Sequence, residues 1–398
     1  MVTTESIDGV VPRETIEPAS AEDVAASLAS AAKQRLSLVI RGGGTKIGWG
    51  RTPGSVDIVL STKRLDAVVA HEHADLTATV QAGARLDEVN RVLARHRQWL
   101  PVESAFDEST IGGAIATNDS GPLRHRYGTP RDLLIGIRLA LTDGRLIKAG
   151  GNVVKNVAGY DLGKLISGSH GSLAAIVSAT FKLTPQPGAS STFVADFERS
   201  EALVAALAAI TSSQLEAAAI EVATGPAAGP YRLLLKFEST PGALHAHVQK
   251  ARTLATGAAC QVVTSQSEVD LWRDHIRAPW RSQGMIVKFA WMPASLGAVL
   301  ALVDDLRGRV AGIELAGRAA IGSGLLRVDA DPRVQRNVVE RLRSREDVFR
   351  HVVVLRADAA LKQQVDVWGP LGDAGSLGAS LKHALDPQGI LNAGRGPV

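Results

Sequence analysis

Three short glycine-rich stretches hold the residues best suited to binding chemistry. Residues 41–46 read RGGGTK, residues 109–121 read STIGGAIATNDSG, and residues 168–174 read GSHGSLA. Glycine has no Cβ, so backbone N–H groups in such stretches can come close to a polar ligand. Successive N–H groups in turns of this kind form concave sites for anions. The three stretches together predict a low-bulk loop framework around one large, phosphate-bearing cofactor.

The common nucleotide-binding fingerprints are absent from the sequence. It contains no G-x-x-x-x-G-K-[ST] motif, and the G-x-G that begins at Gly42 has Ile47 where the dinucleotide fingerprint needs a third glycine. A single glycine turn more often serves backbone geometry alone. The anion-binding prediction therefore depends on the combination and order of the three stretches.

A second cluster, at residues 272–281 (WRDHIRAPWR), joins aromatic and charged side chains. On a helix, Arg273 and Arg277 are four residues apart and share a face. The planar fork of an arginine matches a carboxylate, so the pair is a candidate for substrate binding. The alternative is an amphipathic helix that buries Trp272 and Trp280 and exposes its charges to solvent.

Paired histidines occur twice, and neither pair predicts a metal site. His71 and His73 flank a glutamate in a predicted hairpin turn, and His245 and His247 point to different faces of a predicted helix. A metal site needs three or four converging ligands. We therefore predict none.

Composition restricts the class of protein. The 398 residues suffice for two or three domains, and aromatic residues make up only 4%, so the cores must be built from Ala, Val, Leu and Ile. A dispersed net charge of +4 argues against nucleic acid as a partner. The single cysteine, Cys260, allows neither an intrachain disulfide nor a Cys-ligated iron–sulfur cluster. With no apolar run of about 18 residues and no secretory signal, we expect no transmembrane segment and a cytoplasmic location, peripheral to the inner membrane through partners if attached at all.

The apolar pattern in the first half of the chain predicts helices and strands that position the glycine-rich stretches. A helix over 21–33 precedes a strand over 36–40, and that strand runs directly into the turn at 41–46. Further strands (56–60, 65–71, 76–81, 133–142, 145–148, 173–183) and a helix (85–97) follow. The segment TPQPG at 184–188 then breaks the chain and predicts a domain boundary.

The second half alternates strand, helix, strand and strand. This order predicts an α+β domain with its helices on one face of an antiparallel sheet, built as one unit or as two in tandem without a clear sequence repeat. A last helix over 376–385 leads into a glycine-rich tail.

The motif order resembles the PCMH-type, vanillyl-alcohol-oxidase-like family of FAD-binding flavoproteins. The residues that carry the resemblance are 41–46, Pro101, 110–113, Asn118, Gly121, 126–128, 131–132 and Gly144. The stretches 151–161 (GNVVKNVAGYD) and 165–171 (LISGSHG), with the tail 386–395 (DPQGILNAGR), are more specifically similar to the E-type FAD-binding subunits of bacterial glycolate oxidases.

This resemblance implies a two-subdomain FAD-binding fold over 1–188, an α+β cap over 189–375, and a segment over 376–398 that returns to the FAD domain. It implies backbone donors to the FAD pyrophosphate at 41–46, further contacts at 110–121, adenosine contacts near Gly171 and Ile176, and a flavin contact at Asn392. A flavin-side role is implied for Lys155. The predicted cofactor-binding residues are Arg41, Gly42, Gly43, Gly44, Thr45, Lys46, Pro101, Thr110, Ile111, Gly112, Gly113, Thr117, Asn118, Gly121, Gly171, Ile176 and Asn392, and the predicted catalytic residues are Arg277, Arg273 and Lys155.

The sequence departs from the family at two points. No cysteine precedes Cys260 and no histidine stands in 41–50, so we predict noncovalent FAD. The tail reads Asn392-Ala393-Gly394 where relatives have Asn-Pro-Gly, which predicts a looser turn.

The resemblance implies the FAD-binding subunit of a glycolate oxidase, which oxidises a small 2-hydroxy acid. A second FAD subunit and an iron–sulfur subunit would be its partners. Two alternatives stay open: a self-sufficient FAD-dependent oxidoreductase of another hydroxy acid or alcohol, and a non-catalytic assembly subunit with a vestigial FAD site.

Overall fold

The structure is a computed structural model that describes residues 6–152, 159–225 and 230–397. Its helices are α1 (Ala21–Gln34), α2 (Leu86–Leu93), α3 (Ile111–Thr117), α4 (Arg124–Tyr127), α5 (Pro130–Leu133), α6 (Leu162–Ile166), α7 (Ser200–Thr211), α8 (Pro241–Leu254), α9 (Ser265–Arg277), α10 (Leu296–Arg307), α11 (Pro332–Arg343), α12 (Ala359–Gln364) and α13 (Ala374–Leu385), with 3-10 turns at His73–Asp75, Ala94–His96, Ala278–Trp280 and Pro293–Ser295.

Its strands are β1 (Glu14–Ile16), β2 (Leu38–Arg41), β3 (Ile58–Ser61), β4 (Val68–Glu72), β5 (Thr77–Gln81), β6 (Gln98–Trp99), β7 (Leu134–Ala140), β8 (Leu146–Gly150), β9 (Ala175–Lys182), β10 (Thr184–Pro185), β11 (Ala189–Phe197), β12 (Ala219–Thr224), β13 (Tyr231–Ser239), β14 (Ala259–Val263), β15 (Met285–Trp291), β16 (Gly312–Arg318), β17 (Ser323–Asp329) and β18 (Phe349–Arg356).

The chain divides into two compact units. The first unit comprises 1–121, 128–186 and 370–398, and the second comprises 122–127 and 187–369. The first unit is thus built from both ends of the chain.

The first unit contains two main sheets. The strands of the three-stranded sheet run parallel in the order β1-β3-β2, and those of the five-stranded sheet run antiparallel in the order β4-β5-β9-β7-β8. Helix α1 begins where the Ser20 hydroxyl accepts a hydrogen bond from the Asp23 N–H at 3.0 Å, and it buries Val24 and Leu28. These side chains form one core with Leu38 and Leu60, and this core fixes where β2 ends and the 41–46 loop starts.

The stretch 109–121 is not the loop that its low bulk predicts. It contains α3, which begins at Thr110 and ends where Asn118 adopts φ +45°. Its small residues allow close packing instead of preventing it, because a Cβ at Gly112 would lie 2.9 Å from the Ala82 Cβ. The buried face of α3 contributes Ile111 to the core of the five-stranded sheet.

The second unit is one eight-stranded sheet in the order β14-β11-β13-β12-β16-β17-β15-β18. Strands β11 to β14 with α7 and α8 form one β-α-β-β-α-β motif, and β15 to β18 with α10 and α11 form another. The two motifs join along the antiparallel pair β12–β16. The tandem arrangement that the sequence left open is therefore present.

Not all helices of the second unit pack on one face of its sheet. Phe193, Leu233 and Leu235 belong to the large core with α7, α8, α10 and α11. Val194 and Leu234, which alternate with them, pack instead against Trp272 of α9. The prediction of a single helical face is wrong for α9, because both faces of β11 and β13 carry apolar side chains.

Within the described residues, the longest apolar helices fall short of what a membrane-spanning segment requires.

Candidate cofactor site

The three glycine-rich stretches meet in the first unit around a cavity that opens to solvent, which we call the cofactor cavity. Its wall consists of Ile40, Arg41, Gly42, Gly43, Gly44, Thr45, Lys46, Ile47, Trp49, Thr62, Ala82, Thr110, Gly112, Gly113, Ala116, Thr117, His170, Gly171, Ala174, Ile176, Asn392 and Arg395. The structure thus brings together most of the residues that the sequence singled out.

The loop after β2 presents unused backbone donors. Among the described residues, the N–H groups of Gly42, Gly43, Gly44 and Thr45 donate to no other protein group. The loop is closed behind them by the Ile47 N–H, which donates to the Gly44 carbonyl at 3.1 Å. Four adjacent donors of this kind suit a diphosphate, whose oxygens accept several converging hydrogen bonds.

Two glycines of this loop are required by packing. A Cβ at Gly43 would lie 1.7 Å from the Glu108 carbonyl oxygen, and one at Gly42 would lie 2.2 Å from the Thr110 hydroxyl oxygen. Glycine at these positions therefore lets the 41–46 loop press against residues 108–110, and the packed loop then holds its N–H groups in place.

The charged side chains of the wall are cationic. Arg41, Lys46 and Arg395 line the cavity, and the wall as described has no carboxylate. The Lys46 ammonium is buried and lies 3.0 Å from Asp119 and 3.2 Å from the Ser109 hydroxyl oxygen, so Asp119 balances its charge. Burial lowers the pKa of Arg395, an effect that Asp8 partly opposes. The wall fits an anionic group better than a neutral one.

Helix α3 supplies surface to the cavity rather than hydrogen-bond donors. The N–H groups of Ile111 and Gly112 donate to the carbonyls of Ala84 and Ala82 at 2.9 and 2.7 Å, and that of Gly113 donates to the Thr110 hydroxyl at 3.3 Å. The N–H groups of Ile111, Gly112 and Gly113 are therefore already engaged within the protein, and a contact of this stretch with the pyrophosphate stays a prediction. Gly113 and Thr117 still line the wall.

Four predicted cofactor residues do not line the cavity. The Ile111 side chain lies in the core, Pro101 is buried, and the Asn118 side chain accepts from the Arg131 N–H at 3.3 Å. Gly121 packs against Glu103, since a Cβ there would lie 2.5 Å from a carboxylate oxygen. These positions support the loops around the cavity instead.

The tail returns to the cavity through Asn392. Its N–H donates to the Leu38 carbonyl at 2.8 Å, and its side-chain amide donates to the His170 carbonyl. The guanidinium of Arg395 donates to the carbonyls of Ile47 and Trp49. The tail is therefore well anchored although it lacks the family's proline.

The two predicted catalytic arginines belong to the second unit and do not line the cofactor cavity. Arg273 is exposed on α9 and pairs with Asp270 of the same helix at 2.5 Å, and Arg277 is the last residue of α9. Of the two tryptophans that the amphipathic-helix alternative buries, Trp272 is buried, and Trp280 is half-buried in the 3-10 turn after α9. Lys155 lies outside the described residues.

Sequence reasoning missed several polar residues. His170 and Arg395 line the cofactor cavity, and only their place in the quoted motifs could have signalled them. In the second unit, His275 and Glu221 form a buried pair at 3.0 Å. Because these two residues are far apart in the chain, no local pattern could have joined them.

The described residues contain no group of three or more His, Cys, Asp or Glu side chains arranged to hold a metal ion.

Comparison with known proteins identifies the domain that forms most of this cavity. Residues 12–150 match the family model described as FAD binding domain. Over these residues the chain is similar to FAD-binding domains of the PCMH type. FAD is the cofactor that this domain binds, so the predicted cofactor is confirmed.

The relatives include glycolate oxidase subunits and a dehydrogenase of a 2-hydroxy acid. Glycolate oxidase subunit GlcD of Bacillus subtilis is 33% identical over 217 residues, which is 54% of this chain and 46% of that protein. Glycolate oxidase subunit GlcE of Escherichia coli is 32% identical over 44% of this chain and 49% of its own length. D-2-hydroxyglutarate dehydrogenase of Xanthomonas citri is 28% identical over 95% of this chain and 88% of its own length. The chain thus spans less than half the length of the two glycolate oxidase subunits.

Solved structures share the fold. The 4-ethylphenol oxidase from Gulosibacter chungangensis has a TM-score of 0.76 at 15% identity, with 98% of this chain and 90% of that chain covered. The predicted PCMH-type fold of mixed helix and sheet is therefore confirmed.

Proposed function

We propose that this chain is an FAD-dependent oxidoreductase of small 2-hydroxy acids and that the cofactor cavity holds FAD. The observation that carries the proposal is the row of four unused N–H donors at Gly42–Thr45, in a wall with cationic and no acidic side chains among the described residues. Bound FAD would supply the acceptor for the two electrons that leave the α-carbon of the substrate.

The chain's own residues would then bind and orient the substrate. A 2-hydroxy acid needs a cation for its carboxylate and a group that takes the hydroxyl proton. Arg277 and Arg273, both on α9, remain our candidates for the carboxylate, because a planar guanidinium matches a carboxylate. Arg273 would have to exchange its partner Asp270 for the substrate.

We further propose the role of an E-type FAD subunit in a glycolate oxidase. The two glycolate oxidase subunits among its relatives support this role. A sequence with one cysteine cannot ligate an iron–sulfur cluster by itself, so electrons would leave through a partner. The proposed partners are a second FAD subunit and an iron–sulfur subunit.

A self-sufficient dehydrogenase is the second candidate. One observation favours it: the match to D-2-hydroxyglutarate dehydrogenase extends over 95% of this chain and 88% of that enzyme. An enzyme of this kind would turn over without a partner.

The experiment is purification of the chain alone and together with the products of its neighbouring genes. We expect flavin absorbance in both samples and dye-linked oxidation of glycolate only in the complex. Brisk oxidation of D-2-hydroxyglutarate or another hydroxy acid by the isolated chain would favour the self-sufficient enzyme. A colourless chain that takes up no added FAD would overturn both proposals and favour an assembly subunit.

A further inference from the structure

A largely buried lysine contacts segments that contribute to the cofactor cavity, without lining the cavity itself. The Lys382 ammonium, on α13, donates to the Ser172 carbonyl at 2.7 Å, the Asp386 carboxylate at 2.5 Å and the Leu391 carbonyl at 2.8 Å. A lysine ammonium has three N–H donors, so each donor has one acceptor here. The side chain is only 16% exposed, and a buried charge of this kind persists only when it is fully paired.

The three acceptors belong to segments that are distant in the chain. Ser172 follows His170 and Gly171, which line the cavity, and Leu391 directly precedes Asn392. Asp386 joins the two sides, because its carboxylate also accepts from the N–H groups of Ile390 at 3.1 Å and Leu391 at 2.8 Å. One ammonium therefore sets the spacing between the 168–172 loop and the tail.

This spacing determines where the tail meets the cavity. The Asn392 side chain reaches the His170 carbonyl, and the Arg395 guanidinium lies 3.3 Å from the Asn392 side-chain oxygen. A displacement at Ser172 or Leu391 would therefore move Asn392 and Arg395 together.

We propose that Lys382 is a positioning residue for the cofactor: it holds the 168–172 loop and the tail together, so that Gly171, Asn392 and Arg395 form one continuous wall. The inference rests on the proposal that the cofactor cavity holds FAD. It assigns to Lys382 an effect on FAD affinity that is separate from any effect on folding.

The first test is Lys382→Met, which keeps a side chain of similar length and removes the three donors. We expect the dissociation constant of FAD, measured by flavin fluorescence on folded apoprotein, to rise roughly tenfold or more. Lys164→Met is the matched control, because Lys164 pairs with Asp161 at 2.9 Å in an exposed helical position of the same unit. An FAD affinity equal to that of the unchanged protein in Lys382→Met would overturn the inference.

A second variant guards against a failure to fold. Lys382→Met combined with Asp386→Asn removes both charges, so no unpaired charge stays buried. Weaker FAD binding by this folded variant supports the inference, and unchanged binding contradicts it.

A double-mutant cycle separates positioning from general stability. If Lys382 acts through the tail, Asn392→Ala should abolish most of the effect of Lys382→Met on the dissociation constant of FAD. Additive effects would show that Lys382 does not act through Asn392. Gly113→Val, at a wall residue outside the tail, tests the cavity itself. If it leaves FAD bound, the proposed site fails, and if it releases FAD while Lys382→Met does not, only the positioning role fails.

Discussion

At the scale of single residues, glycines that look alike in the sequence have different tasks. Gly43 lies against Glu108 with no room for a Cβ, whereas a Cβ at Gly113 would meet only the Thr110 hydroxyl oxygen at 3.2 Å. Gly43 is therefore needed for the packing of the loop. Gly113, which has no side chain, leaves space free in the cofactor cavity. The two tasks predict different mutant phenotypes.

Gly113→Val tests the cavity wall. The branched side chain would project into space that the cofactor needs, so we expect the dissociation constant of FAD to rise at least about tenfold, or about 1.4 kcal/mol, with the fold retained. Flavin fluorescence measures binding, and circular dichroism checks the fold. Gly54→Val is the matched control, because a Cβ at Gly54 meets nothing within 4 Å. A fully yellow Gly113→Val protein would contradict the prediction.

Gly43→Ala tests the packing of the loop. The added methyl group would collide with the Glu108 backbone, which cannot move as a flexible side chain can. Overpacking of this kind costs about 1–3 kcal/mol, so we expect a loss of that size in the free energy of unfolding. Denaturant unfolding of the apoprotein measures it, with Gly54→Ala as the control. Unchanged stability would show that residues 108–110 yield easily.

At the scale of elements, the sequence predicts the helices that have a clear apolar repeat and the turns that are rich in glycine. The helical repeat of Val24 and Leu28 correctly predicts α1, and the glycine turn is correctly placed at the end of β2. Helix α3 cannot be predicted from the sequence, because its small residues show no apolar period. Their small size also lets α3 pack closely against Ala82. The donors of the site cannot be assigned from sequence either, because only the structure shows that the Ile111 and Gly112 amides are engaged.

Contacts between distant segments are beyond the reach of the sequence. The pairing of Lys382 with Ser172 joins segments 210 residues apart, and no local pattern predicts it. The two β-α-β-β-α-β motifs share a topology without a clear sequence repeat, because the topology requires only suitable burial at each strand.

Three histidine rings lie together beside the β4–β5 hairpin: His71 and His73 belong to it, and His96 ends the 3-10 turn after α2. The rings of His73 and His96 stack at 4.2 Å, and His71 lies 5.2 Å from His96. Desolvation, followed by His73 and His71, lowers the pKa of His96 below its ordinary value. As the pH falls, the His96 imidazole of the unfolded chain is therefore protonated before that of the folded chain. The stabilising contribution of His96 is complete above the unfolded pKa of about 6.5 and is lost as the pH falls through its folded pKa.

We accordingly expect the unfolding midpoint of the apoprotein to fall less between pH 7 and about pH 5 in His96→Gln than in the unchanged protein. Thermal unfolding at several pH values measures this difference. His383→Gln, at an exposed position of α13 in the same unit, is the control. Identical pH profiles for His96→Gln and the unchanged chain would contradict the assignment.

At the scale of the whole molecule, compact units do not coincide with continuous stretches of sequence. Residues 122–127 lie within the first half of the chain yet belong to the second unit. The Tyr127 hydroxyl donates to Glu238 at 2.6 Å, and burial with this contact raises the pKa of Tyr127. Cutting the chain at residue 188 would therefore separate Tyr127 from its partner, and the full chain is the proper object for binding experiments.

The full chain should hold FAD without a covalent bond. The single cysteine, Cys260, lies on β14 of the second unit, and the cavity wall as described contains no cysteine. Binding would instead depend on the amides of 42–45 and the cationic wall, whose hydrogen bonds are lost when the protein unfolds. We therefore expect acid precipitation to leave the flavin in the supernatant. Because His170 lines the wall, His170→Ala is tested in parallel. Flavin that stays in the pellet would contradict noncovalent binding, and its release in His170→Ala would place the attachment at that imidazole.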